Sequence, residues 1–150
     1  MLSKAGLSEL ISFNVAGQEF CVDVMSVREI KGWMPVTPLP HTPSYMRGVI
    51  DLRGVVLSII DLAARLGFPP TEPSARHVII VAEIKGETVG LLVDSVSDIL
   101  TIDPTTIQAT PDFANETTKQ FVAGLFSVEG SMVSVLSLER LFGEKERLAA

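Results

Sequence analysis

The chain has 150 residues, 47% of them hydrophobic. That is enough apolar material for a domain core and too much for a disordered chain. Twelve Lys and Arg stand against eighteen Asp and Glu, a net charge of −6, so the basic footprint that phosphate binding needs is missing and nucleic acid is not the expected partner. The single Cys21 excludes an internal disulfide framework and any CxxC redox or zinc pair.

The start, MLSKAGLSELISFNV, lacks a long apolar core and runs into an alternating strand, so it does not read as a signal peptide. No apolar run approaches the roughly 18–20 residues that span a bilayer, and a soluble, cytoplasmic protein is expected. Residues 9–24 alternate around Ala16-Gly17 and predict a hairpin, with Cys21 a small buried hydrophobe. Residues 25–30, MSVREI, predict a helical turn: Ser26 stands three before Glu29, a capping-box spacing, and Val27 and Ile30 repeat at i, i+3. Residues 33–45, WMPVTPLPHTPSY, hold four prolines and exclude a central strand or a helix interior. Residues 48–60 predict a second hairpin on Arg53-Gly54, after which Asp61 caps a short helix, 62–66, ended by Gly67.

The stretch 68–75, FPPTEPSA, reads as a linker. Residues 78–93 repeat the hairpin on Lys85-Gly86, and 94–99, DSVSDI, repeat the helical turn, with Ser95 before Asp98 and Val96 before Ile99. A loop over 103–119, with Pro104 and Pro111, leads to a fourth hairpin, 124–136, on Glu129-Gly130. Ser137 then caps 138–142, ended by Gly143. All four turns place Gly second. A tight type I′ turn also needs positive φ at the first position, which Arg, Lys and Glu disfavour, so a type I turn followed by a left-handed Gly is predicted.

The order hairpin, helical turn, hairpin, helical turn occurs twice. GVIDLRGVVLSIIDLAARLG at 48–67 answers GLFSVEGSMVSVLSLERLFG at 124–143, and the turn-aligned repeats run 11–67 and 80–143. Such a period dictates architecture. Short strands with Gly turns in two similar units predict an all-β fold of two small barrels packed together.

Little in the sequence carries chemistry. His41 and His77 have no neighbouring ligands at metal spacing, and no phosphate loop, nucleotide fingerprint, nucleophile elbow or HExxH is present. Asp23, Asp51, Asp61, Asp94 and Asp98 sit at strand ends, turns or caps, where acids commonly serve structure. Asp61 is answered by Ser137, another cap rather than another acid. A binding module is the expected class, and its function must be argued from its surface.

The copies differ at two aligned places. Glu29 falls on Asp98, and Arg53 falls on Glu129. Copy one therefore holds an acid and a base, copy two only acids. Either Glu29 completes a capping box and Arg53 is a solvated turn residue, or the two pair and hold the turn against the hairpin tip. An exposed pair adds little stability, so such a pair would act by positioning a surface. Val27, Ile30, Val96 and Ile99 read as core or as the walls of a groove between the barrels.

GVIDLRGVVLSIIDL, preceded by VREI and TPLPHTPSYMRG and followed by GLLVDSVSDIL, resembles the CheW family of bacterial chemotaxis adaptors, from about residue 11 to 142. The resemblance implies one CheW-like domain over 1–150, built as two intertwined five-stranded SH3-like β-barrels with short helical turns. It implies no enzymatic activity, no cofactor and no metal. It implies a scaffold that couples the cytoplasmic tips of transmembrane chemoreceptors to the regulatory domain of the histidine kinase CheA, in arrays at the inner membrane and without insertion into it. The family's receptor-coupling positions fall on Val27, Glu29, Ile30, Gly48, Arg53, Val78, Gly90, Val96 and Ile99, and the kinase is expected on the first barrel near Val56. Asp51, Ser58 and Ser137 depart from the family's usual Asn, Pro and Asp, and the short tail after Phe142 shows no receiver domain. The other readings are an adaptor of another chemosensory-type pathway such as pilus motility, a small β-barrel hydrolase using two of its acids, with Asp23, Asp51, Asp61, Asp94 and Asp98 the candidates, and an RNA-binding barrel, which acidity and few aromatics disfavour.

Overall fold

A computed structural model describes residues 7–110 and 116–142. Ten strands dominate it: β1 (Ser8–Val15), β2 (Gln18–Asp23), β3 (Val27–Gly32), β4 (Met46–Leu52), β5 (Val55–Asp61), β6 (Val78–Ile84), β7 (Glu87–Val93), β8 (Ser95–Ile102), β9 (Val122–Val128) and β10 (Ser131–Leu136). Three single-turn helices follow β5, precede β9 and follow β10: α1 (Leu62–Arg65), α2 (Glu116–Lys119) and α3 (Leu138–Leu141). Among the described residues no helix is long and apolar enough to cross a membrane. Pro111 and Gly143 lie outside the described residues.

The strands form two five-stranded sheets, in the orders β8-β1-β2-β10-β9 and β3-β6-β7-β5-β4. The two orders match place for place. The hairpin β1–β2 belongs to the first sheet, whereas the following β3, β4 and β5 lie in the second; β6–β7 and β8, β9, β10 make the reciprocal exchange. The junctions β2–β10 and β5–β7 are parallel, and the other neighbours are antiparallel.

The inner strands β1, β2, β6 and β7 are buried on both faces, which explains near-continuous apolar runs such as VIIVAEI in β6. One face joins a core shared by both sheets, including Phe13, Phe20, Ile60, Ile80 and Leu91. The other face covers a smaller core of its own: Ile50, Leu57, Ile59 and Leu92 with Trp33 in the second sheet, and Leu10, Cys21, Phe126 and Val133 in the first. Burial pushes the Cys21 thiol up to about 12, aided by the nearby charge of Glu19, so Cys21 is a packing residue rather than a reactive one. Arg65 ties α1 to α3. It donates to the Leu141 carbonyl at 3.0 and 2.9 Å and lies over the rings of Tyr45 and Phe121.

Two predictions need correction. The segments read as helical turns, 25–30 and 94–99, lie largely in strands β3 and β8. At the start of the first segment Val24–Ser26 forms a 3₁₀ turn, and its cap is Asp23, which accepts from the Met25 N–H. The capping boxes read at Ser26 and Ser95 are absent. The cause is a β-bulge in each strand, between Val27 and Glu29 and opposite Ile11 and Phe13. One extra residue restores same-face placement after three positions instead of two, which imitates helical spacing.

The hairpin turns are also not type I. Their first residues, Ala16, Arg53, Lys85 and Glu129, have φ between 50 and 54°, and each following Gly is positive as well. Registers such as Val15↔Gln18 and Ile84↔Glu87 leave two-residue loops, so these are type I′ turns. Their twist matches the strands, and that match outweighs roughly 1–2 kcal/mol of left-handed strain at the first residue. Lys85→Asn, which suits this conformation, should raise stability by about 0.5–1 kcal/mol. A thermal melt checks it, and a lowered midpoint would show that the Lys85 side chain outweighs its backbone strain.

Candidate functional site

The ion pair open in the sequence is present. An Arg53 NH2 group donates to Glu29 Oε2. Glu29 lies on β3, at one margin of the second sheet, and Arg53 leads the β4–β5 turn at the other. The pair therefore ties margin to margin, on a strand rather than on the predicted helical turn. The turn is braced by the Gly54 N–H, which donates to Asp51 Oδ1 at 2.8 Å. The hydrogen bond from Arg53 holds the Glu29 carboxyl below its ordinary value of 4.5, with the positive charges of Arg53 and Lys31 adding to it against desolvation. A depressed carboxyl contributes above its unfolded value and loses that contribution as pH falls through the folded one. The pair is thus intact at neutral pH and opens only in acid.

Three of the sequence-predicted residues share one line across this sheet. Gly48 opposes Ile59, Ile59 opposes Gly90, Gly90 opposes Val81, and Val81 opposes Glu29. The glycines sit where side chains do not fit. A Cβ on Gly90 would come within 2.6 Å of Ile59 Cδ1 and 2.9 Å of Ile79 Cγ2. At Gly48 it would meet the backbone of Thr37 and Pro38, which bridges β4 through Thr37↔Val49. Ile59 and Val81 were missed in the sequence, because only cross-strand register puts them in this line.

Val27 opposes Ala82 and Ile30 opposes Ile80; Val96 opposes Phe13 and Ile99 opposes Ile11. All four partners belong to the shared core, and directly opposed residues share a face. Val27 and Val96 are half-buried against that core, as is Val78. Ile30 and Ile99 are 44% and 59% exposed. Val56, at 68%, lies beside exposed Val55 at the β4–β5 tip. Exposed Met25, Leu39 and Met132 went unremarked in the sequence, and isolated exposed apolar residues leave no periodic signal.

Of the five acids weighed as catalytic, Asp51 at the β4–β5 turn and three others accept from backbone donors. Asp23 accepts from Met25, Asp61 from Ala64 and Thr71, and Asp94 from Ala16, with His77 Nε2 3.5 Å away from Asp94. Among the described residues no group of three His, Cys, Asp or Glu is placed to hold a metal.

Two exchanged β sheets carrying a cross-sheet ion pair and separate exposed apolar residues have the build of a protein-interaction module. The chain belongs to the CheW-like domain family, whose model matches residues 9–146. It is 55% identical to a probable chemotaxis protein CheW of Rhizobium etli and 54% identical to a chemotaxis protein CheW of Rhizobium meliloti, each alignment covering 97% of this chain and 94% of the relative. Among solved structures it resembles the scaffolding protein TtCheW of Thermoanaerobacter tengcongensis, with a TM-score of 0.83 and 29% identity over 93% of this chain and 95% of that one.

Proposed function

We propose that this chain is a non-enzymatic scaffold of bacterial chemotaxis, one domain built from repeats 11–67 and 80–143, that couples chemoreceptor tips to the regulatory domain of the histidine kinase CheA at membrane-associated arrays. The carrying observation is the Glu29–Arg53 pair, which fixes the hairpin bearing exposed Val55 and Val56 against the strand bearing exposed Ile30. In this reading the receptor lies against Val27, Ile30, Val96 and Ile99, and the kinase docks near Val56. Gly48, Val78 and Gly90 shape those surfaces from within. An apolar helical tip laid against such residues is ordinary helix-in-groove recognition. The names of the relatives favour chemotaxis over pilus motility.

The test uses pull-down and titration with purified kinase regulatory domain and receptor-tip fragments. Arg53→Glu removes the pair and places two acids together, and it should weaken binding at least tenfold while the fold survives. Arg53→Asn also removes the pair but suits the type I′ turn, so it should bind as poorly and melt no lower than the wild type. Unchanged affinity in both variants would sink the role given to the pair.

A further inference from the structure

We propose that this chain forms an exchanged dimer, in which the first repeat of one copy completes both sheets with the second repeat of another, and that the 68–75 linker decides between this dimer and the closed chain. The inference goes beyond the reading above and does not depend on it.

The topology carries it. Within a repeat the strands pair only as hairpins: β1–β2 and β4–β5 in the first, β6–β7 and β9–β10 in the second. Every other ladder, β1–β8, β2–β10, β3–β6 and β5–β7, joins one repeat to the other. The shared core is split in the same way, with Phe13, Phe20 and Ile60 from the first repeat and Ile80 and Leu91 from the second. An isolated hairpin is marginal in water, so a repeat folds only against its complement. A second copy carries the identical complement, and exchange of identical elements is a low-cost route to a dimer.

The linker suits both arrangements. Asp61 and Ile79 both flank Leu92, so in the closed chain β5 ends two strand spacings, roughly 10 Å, from the start of β6. Residues 66–77 reach about 40 Å when extended. Pro69, Pro70 and Pro73 favour that extension, in themselves and in the residue before each. In the closed chain the slack is held down. Thr71 donates through its N–H and its hydroxyl to Asp61, both at 2.8 Å, and its carbonyl accepts from Arg47. The His77 N–H donates to the Ser74 carbonyl and the Ser74 N–H to His77 Nδ1, both at 3.0 Å. Straightening the linker releases Thr71 and rebuilds every ladder between two chains. Val27 and Ile30 of one copy then share a core with Val96 and Ile99 of the other.

The test uses full chains carrying Glu9→Cys or Thr101→Cys. They are mixed, unfolded in urea, refolded together at concentrations on the order of mM, where a second copy competes with the tethered repeat, and then oxidised. Glu9 and Thr101 are exposed and directly opposed across β1–β8, within disulfide reach, and Cys21 stays buried. A chain with both substitutions closes the same bond within itself and serves as the reference. Exchange brings the two thiols together between chains, so a mixed disulfide should form in the mixture and in neither variant alone, in a particle of twice the mass. Thr71→Val removes a contact that only the closed chain makes, once per linker, and should raise the dimerisation constant roughly tenfold or more, read by size exclusion with light scattering. Absence of the mixed disulfide would overturn the inference, whether the mixture stays monomeric or dimerises without it, since the latter is packing of closed chains. A Thr71→Val dimerisation constant no higher than that of the wild type would overturn the role of the linker.

Discussion

Asp61→Ala should lower the unfolding free energy by about 3 kcal/mol, measured by urea denaturation at neutral pH. Asp61 is only 2% exposed and its carboxylate is fully engaged. Oδ1 caps α1 through the Ala64 N–H at 3.4 Å and accepts from the Thr71 hydroxyl at 2.8 Å; Oδ2 accepts from the Thr71 N–H at 2.8 Å. Arg47 stands 3.7 Å from Oδ2 and donates to the Thr71 carbonyl. Alanine removes every acceptor and leaves the donors behind, and an unmade buried hydrogen bond costs more than a made one gains. Asp61→Ser, which copies Ser137, should recover about half of the loss by keeping the cap without the Thr71 contacts. A deficit under about 1 kcal/mol for the alanine variant would mean that the linker does not depend on this carboxylate.

Asp61 also marks what the sequence could disclose. A cap reaches three residues along the chain, so it is written locally, and the caps at Asp61 and Ser137 are where the motif puts them. The contact with Thr71 crosses ten residues into an irregular linker, and no local pattern announces it. The hairpins were legible for the same local reason. The strands β3 and β8 were not, because a bulge turns a period of two into a spacing of three and Val27, Ile30, Val96 and Ile99 then imitate a helix. Their shared face was read correctly for the wrong cause. The Glu29–Arg53 pair was reachable only by comparing the repeats, since the difference between copies is visible in one sequence. The line from Gly48 through Gly90 to Glu29 depends on the register of five strands from both repeats, and register across a parallel junction such as β5–β7 leaves no trace in either strand alone.

Gly48→Ala should destabilise the fold by about 3 kcal/mol or more and weaken partner binding, and it should exceed Gly90→Ala in both. Gly48 has φ of 143°, outside the range that residues with a side chain favour. An added methyl would lie 2.7 Å from the Thr37 carbonyl carbon and 2.9 Å from Pro38 Cα, and nearer still to the Thr37 oxygen. Those atoms are backbone, held by the paired bonds Thr37 N–H to Val49 and Val49 N–H to Thr37, both 2.9 Å. They yield only if the proline-rich segment lifts off β4. At Gly90 the obstructing atoms are ends of the Ile59 and Ile79 side chains, which move by rotamer changes, so a cost nearer 1–2 kcal/mol is expected. Both glycines lie in the line that carries Glu29, so displacement at either is passed toward the ion pair. Gly124→Ala is the internal control. Its methyl would meet Ile107 Cγ2 at 2.5 Å and the Gln108 oxygen at 2.8 Å, in the equivalent bridge Gln108↔Leu125, but its line runs through Val135 and Cys21 to Ser12 in the first sheet and does not reach Glu29. It should cost comparable stability and leave the Glu29–Arg53 surface in place. Urea denaturation of the three variants, with kinase and receptor titrations of those that remain folded, separates the outcomes. A Gly48→Ala chain as stable as the wild type would show that the proline-rich segment is not fixed against β4.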